Sequence, residues 1–102
     1  LEKIRIGDNT IAYVYERNKE YTAAIWNYGE KTELRFKLDF PADAVEYYDV
    51  FGNRLDYADN IMPLGKAPIY IKLKKQSWLY RFLNETMNAQ SFIQTIKNAE
   101  KI

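Results

Sequence analysis

Nine consecutive residues near the middle of the chain constrain its fold more than any others. Thr32-Glu33-Leu34-Arg35-Phe36-Lys37-Leu38-Asp39-Phe40 alternates without a break. Leu34, Phe36, Leu38 and Phe40 fall on one side of an extended backbone, and Glu33, Arg35, Lys37 and Asp39 fall on the other. Successive side chains of a strand point to opposite faces, so this segment reads as a strand with one wet face and one dry face. The dry face needs a second layer against it. An antiparallel β-sandwich is therefore the expected architecture, an all-β fold.

Turn signals cut the flanking sequence into further strands. Lys3 to Ile6 opens the chain and stops at Gly7-Asp8-Asn9. Thr10 to Arg17 follows, with Ile11, Tyr13 and Tyr15 on one face, and Tyr21 to Asn27 returns from a turn at Asn18-Lys19-Glu20 as a hairpin. Tyr28-Gly29-Glu30-Lys31 leads into the alternating strand, which Pro41-Ala42-Asp43 ends because proline cannot donate to a ladder. Ala44 to Val50 is the next strand, followed by weaker ones at Arg54 to Tyr57 and Asn60 to Leu64. Pro68 opens a last strand, Ile69 to Leu73. Seven or eight short strands at a spacing of roughly 8–12 residues is the pattern of a sandwich, here expected over residues 1–75.

From residue 76 the period changes. Trp78, Phe82, Leu83, Thr86 and Met87 share a helical face, with Ser77 placed as an N-cap. Ser91-Phe92-Ile93-Gln94 has the form of a capping box, and Phe92, Ile93, Ile96 and Ala99 form an apolar stripe behind it. One kinked helix or two short ones are expected over Ser77 to Lys101. Residues 76–102 thus form a helical tail that must dock on the sandwich or on a neighbour.

Missing residue types exclude much chemistry. The chain has no Cys, so disulfides, thiolate nucleophiles, Cys-bound zinc and iron–sulfur clusters are ruled out within it. It has no His, which removes the commonest general base near neutral pH and every Ser-His-Asp arrangement. Fifteen Lys and Arg against fourteen Asp and Glu give a net charge of +1, without the basic bias of a nucleic-acid or anionic-membrane binder. No apolar run approaches the ~20 residues of a membrane span, and no signal-peptide pattern opens the chain. No cofactor is expected. The first residue is Leu1, as in a piece cut from a longer protein or a processed terminus. The compartment stays open, an extracellular or periplasmic one following only if a parent protein acts on polysaccharide.

What remains for chemistry is carboxylates, Lys and Tyr. Glu16, Glu20, Glu30, Asp39, Asp43, Glu46, Asp49, Asp56 and Asp59 are candidates for glycosidase work, which needs two carboxylates facing each other across a cleft. Most of them fall in turns or on wet strand faces, where solvated charge is ordinary. Asp56, Asp59 and Asn60 offer oxygen ligands for a hard cation such as Ca²⁺, although Asp-rich turns commonly hold no metal. In Asp49-Val50-Phe51-Gly52-Asn53, Asp49 suits a cap on a tight turn that Gly52 permits and Asn53 completes. Nine Tyr, five Phe and two Trp are many for this length. Trp26, Tyr48 and Tyr70 are the expected rings of a contact surface, either against a partner domain or stacked on a sugar. Tyr47 and Tyr48 must point to opposite faces of their strand.

These stretches carry a family resemblance. A strand ending in Asp49, two residues, then Gly52-Asn53, and later the strand Pro68-Ile69-Tyr70-Ile71, resembles the C-terminal β-sandwich appended to many glycoside hydrolases built on a TIM barrel. Ala23-Ala24-Ile25-Trp26 is similar to an upstream strand of that module, and Leu34 to Phe40 to the strand that follows. The likeness covers Thr10 to Leu73 and rests on short motifs. It implies a non-catalytic accessory domain that packs on an upstream catalytic barrel. The catalytic carboxylates of such enzymes lie on the barrel, so none is carried over. The chain departs from the module after Leu73, where it adds about thirty residues. Two other readings follow from the residues: a carbohydrate-binding module with an aromatic platform, and a protein-interaction domain of a surface or assembly protein that uses its helical tail.

Overall fold

The computed structural model describes residues 2–6, 9–17, 20–29, 34–40, 44–73 and 89–102. Among these, nine strands form two antiparallel sheets. The strands are β1 (Glu2–Arg5), β2 (Thr10–Arg17), β3 (Glu20–Asn27), β4 (Leu34–Lys37), β5 (Val45–Tyr48), β6 (Arg54–Leu55), β7 (Ile61–Leu64), β8 (Ile69–Leu73) and β9 (Glu100–Lys101). A helix, α1 (Ala89–Lys97), and a 3₁₀ turn (Ala58–Asn60) complete the set. Six strands pair in the order β1-β2-β3-β8-β5-β6, and three pair in the order β7-β4-β9.

Alternation builds the core between the sheets. The six-stranded sheet contributes Ile4, Ala12, Val14, Ala23, Ile25, Val45, Tyr47, Ile69, Ile71 and Leu73, all from inward positions of their strands. Phe36, Met62 and Leu64 face them from the three-stranded sheet, joined by Leu38 and Phe40. Pro63 stands inside β7 because β7 is an edge strand, where a missing N–H costs no ladder bond.

The central strand is shorter in pairing than in pattern. Leu38 and Phe40 remain buried and Asp39 exposed, yet ladder bonding stops at Lys37. The Leu38 N–H still donates to the Asn60 carbonyl at 3.1 Å. Beyond that point Asp59 and Asn60 hold positive φ of 57° and 55°, which turns the lead-in to β7 away. The Phe40 N–H then folds back to the Leu38 carbonyl. Thr32 and Glu33 lie outside the described residues, as do Ser77, Trp78, Phe82, Leu83, Thr86 and Met87 of the expected helical face.

The described part of the tail is built into the sandwich. Phe92, Ile93 and Ile96 of α1 belong to the common core, and the Phe92 ring stacks on Phe40 with centroids 5.7 Å apart. Lys97 Nζ reaches Glu2 Oε1 of β1 at 3.3 Å. The helix starts at Ala89, ahead of the Ser91 capping box, and the Thr95 hydroxyl donates to the Ser91 carbonyl. A helix running to Lys101 is not what forms. It ends at Lys97, and Glu100–Lys101 pairs with β4 instead. The Ile102 N–H extends that pairing to the Arg35 carbonyl at 2.9 Å. These last side chains are exposed, so no periodicity announces the strand. The backbone groups on the side of β4 away from β7 draw them in.

Phe92 sits fully buried at the join of helix and sheets. Phe92→Ala is expected to lower unfolding stability by about 3–5 kcal/mol, measured by urea denaturation of the 102-residue chain. A loss below about 1 kcal/mol, the size typical of a surface change, would contradict the packing of α1 in the core.

Candidate functional site

Register decides what the outer face of the six-stranded sheet carries. Lys3 pairs with Tyr13, Tyr13 with Ala24, Ala24 with Tyr70, Tyr70 with Tyr48, and Tyr48 with Arg54. Directly paired residues share a face, so these positions form one row across every strand of the sheet. The neighbouring row holds Arg5, Ile11 and Trp26. Trp26, Tyr48 and Tyr70 therefore stand on one surface, although they come from β3, β5 and β8. Tyr47, one position from Tyr48, points inward and is buried.

Tyr13 is the member that reading the sequence strand by strand left out of this group. Its ring stacks on Trp26 with centroids 5.5 Å apart and planes 25° apart, across the diagonal of the β2–β3 hairpin. The Lys3 ammonium lies 5.9 Å from the same ring's centroid, a cation–π contact. The hairpin signal and the shared face of Ile11, Tyr13 and Tyr15 were enough to place Tyr13 beside Trp26, had the register been counted. The four rings are half-buried.

Charges on this face divide into paired and unpaired. Arg54 Nη1 meets Glu46 Oε2 at 2.9 Å, and Lys72 Nζ meets Glu20 Oε2 at 3.4 Å. Among the described residues no carboxylate pairs with Lys3 or Arg5 on β1.

The Asp49 turn closes the β5–β6 hairpin. Asp49 Oδ1 accepts from the Phe51 and Asn53 N–H groups, each at 2.9 Å, and Oδ2 accepts from Asn53 Nδ2 at 3.1 Å. Gly52 takes φ +84°, a left-handed conformation that a side chain resists. The Asn53 N–H chiefly, opposed by desolvation and helped by the Asn53 side chain and the Phe51 and Gly52 N–H groups, holds the Asp49 carboxyl below its ordinary range. Every acceptor site of this carboxylate used in the turn is one a substrate cannot use.

A cleft of about 460 Å³ opens beside β6, where the two sheets part. Lys37, Asp39, Glu46, Arg54, Asp56 and Asp59 are among the residues lining it. Four of the carboxylates counted from the sequence are thus gathered in one place. Glu46 is held in its ion pair with Arg54, while Glu16 and Glu20 lie on the β2–β3 hairpin, away from the cleft. Glu30 and Asp43 are outside the described residues. Asn60 serves structure here. Its Oδ1 accepts from the Tyr47 hydroxyl at 2.9 Å and its Nδ2 donates to the Phe40 carbonyl at 3.1 Å, tying the sheets together. Burial, and to a lesser degree the neighbouring Tyr57, push the Tyr47 phenol well above its ordinary value, so it stays protonated as a donor. Among the described residues no three acidic groups are arranged to hold a metal ion. Among them, too, no helix is long and apolar enough to cross a membrane.

No protein family, curated protein or solved structure matches this chain.

The turn geometry predicts a pH response. A carboxyl whose folded pKa is depressed contributes stability above its unfolded value, near 3.9, and loses it as pH falls through the folded value. The Asp49 carboxyl carbon, followed by NMR, is expected to titrate below the same residue in the urea-unfolded chain, with Phe51 and Asn53 amide protection falling alongside. A midpoint at or above the unfolded one would contradict the turn as described.

Proposed function

We propose that this chain is a non-catalytic accessory β-sandwich of a glycoside hydrolase-like, carbohydrate-active protein, in which its ring-bearing sheet face is covered by a catalytic barrel. The observation that carries the reading is the row of Tyr13, Tyr70 and Tyr48, with Trp26 beside it, on a face that no other described element covers. Aromatic rings gathered on one sheet face, each with an apolar body and a polar tip, are the residue types that domain and partner contacts favour.

The geometry weighs against a sugar platform. A platform needs ring faces open to solvent, whereas the Tyr13 ring carries the Lys3 ammonium and stacks on Trp26. It also weighs against α1, the described part of the tail, as a free interaction helix, since its apolar side is spent in the core; the expected face of Trp78, Phe82, Leu83, Thr86 and Met87 lies outside the described residues. The carboxylates that gather at the cleft leave the accessory role in place, because Glu46 is neutralised by Arg54 and the others stand on an open rim.

Two variants test the role. Trp26→Ser and Tyr48→Ser are expected to cost the isolated chain only about 1 kcal/mol, the worth of a surface aromatic pair. In the complete gene product the same changes are expected to uncouple this domain, so that a single thermal transition splits in two. A gene product with no further domain, or one whose melting ignores both variants, would overturn the proposal. Calorimetry against a panel of neutral, amino and acidic polysaccharides is expected to give no heat. Binding that Tyr48→Ser abolishes would establish the platform in its place.

A further inference from the structure

The outward N–H and C=O groups of an edge strand are a template for another chain, and folds close such edges by shortening them, by proline or by charge. Among the described residues the two sheets end in β1, β6, β7 and β9. β6 and β9 are two residues long, too short to template a strand. β7 is closed by Pro63. The Leu38 N–H bonds the Asn60 carbonyl, and bonded pairs recur at every second residue, so Met62 and Leu64 bond β4 while position 63 faces away, where proline has no donor to offer. β1 is four residues long and holds no proline.

Pairing with β2 shows which groups of β1 lie open. The Ile6 N–H donates to the Thr10 carbonyl at 2.9 Å, and the same register makes Ile4–Ala12 and Glu2–Val14 the next bonded pairs. The backbone N–H and C=O groups of Lys3 and Arg5 therefore point away from β2. Both side chains are exposed, on the outer face, and neither meets a carboxylate among the described residues. Ile4 between them is buried, and Glu2 is already paired with Lys97. The open groups thus belong to two cations, two residues apart, on either side of an apolar position.

Length and proline close an edge to every strand, whereas charge closes it only to strands of like charge. A second copy of β1, brought in across a twofold axis with its buried face on the buried side, sets Lys3 against Arg5 or a charged residue against itself. Like charges directly opposite one another are destabilising. An incoming antiparallel strand that fits must carry carboxylates at both positions facing Lys3 and Arg5, two residues apart. The fourteen Asp and Glu of this chain nowhere stand two residues apart, so no segment of it, in this copy or another, supplies the match. We infer that the open edge of β1 receives an extended acidic segment of a different protein, added as a seventh strand of the large sheet. Main-chain bonds to Lys3 and Arg5 hold it, its alternate carboxylates face their side chains, and an apolar residue between these lies beside Ile4. This interaction surface is separate from the ring-bearing face and does not depend on how that face is covered.

Peptide titration of the 102-residue chain, followed by amide NMR and hydrogen exchange, tests the edge. The probe is a capped heptapeptide of valine and threonine with two glutamates two residues apart. One control has lysine in place of both glutamates, and another has the glutamates adjacent. The first peptide is expected to slow exchange at the Lys3 and Arg5 amides. The lysine control is expected to bind at least about tenfold more weakly, because two facing pairs turn repulsive, and the adjacent control about threefold more weakly, because one pair is lost. The double variant Lys3→Glu/Arg5→Glu, both side chains being exposed, is expected to keep its melting temperature and to prefer the lysine peptide. Equal binding of the three peptides overturns the inference. So does binding that leaves exchange at Lys3 and Arg5 unchanged, absence of binding at millimolar peptide, or a double variant that still prefers the acidic probe.

Discussion

Among the described residues, the six-stranded sheet has two faces, and the three-stranded sheet with α1 covers one of them. Everything else in this molecule follows from that mismatch. The inner face is closed by Phe36, Met62 and Leu64 of the smaller sheet and by Phe92 and Ile96 of α1. The outer face has no such layer among the described residues, yet it carries four half-buried rings along its middle. Burial of the first face gives the fold. The rings of the second are what the proposed domain contact rests on.

The two regions richest in polar groups are organised differently. At the Asp49 turn the carboxylate is consumed by backbone and side-chain donors, which fixes the backbone of the turn from Phe51 to Asn53. At the cleft beside β6, Asn60 spends both ends of its amide on Tyr47 and Phe40, holding the sheets together just where they part. Both are cases of polar side chains spent on backbone geometry. The left-handed φ of Asp59 and Asn60 belongs with them, since asparagine and aspartate tolerate that region better than other side chains.

Much of the fold was legible because alternation is local. The bounds of β2 and β8 coincide with those expected, and β3 starts one residue early, at Glu20. The Asp49 turn was readable from Asp, Gly and Asn at their spacing. Pairing was harder to read. That β8 lies between β3 and β5 depends on contacts distant in sequence, and so the row from Tyr13 to Tyr48 could not be assembled from any one segment. β9 was invisible because a charged pair of residues on an edge has no pattern to show. Trp26, Tyr48 and Tyr70 could be picked out as rings, but not as neighbours.

The most direct measurement is oxidative footprinting of Tyr13, Trp26, Tyr48 and Tyr70 in the isolated chain and in the complete gene product. A face that serves as one contact loses reactivity at all four rings together, while exposed Tyr15 at the far end of β2 keeps more of its own. Equal labelling of the four rings in both samples would contradict a covered face and leave this sheet as an ordinary wet surface.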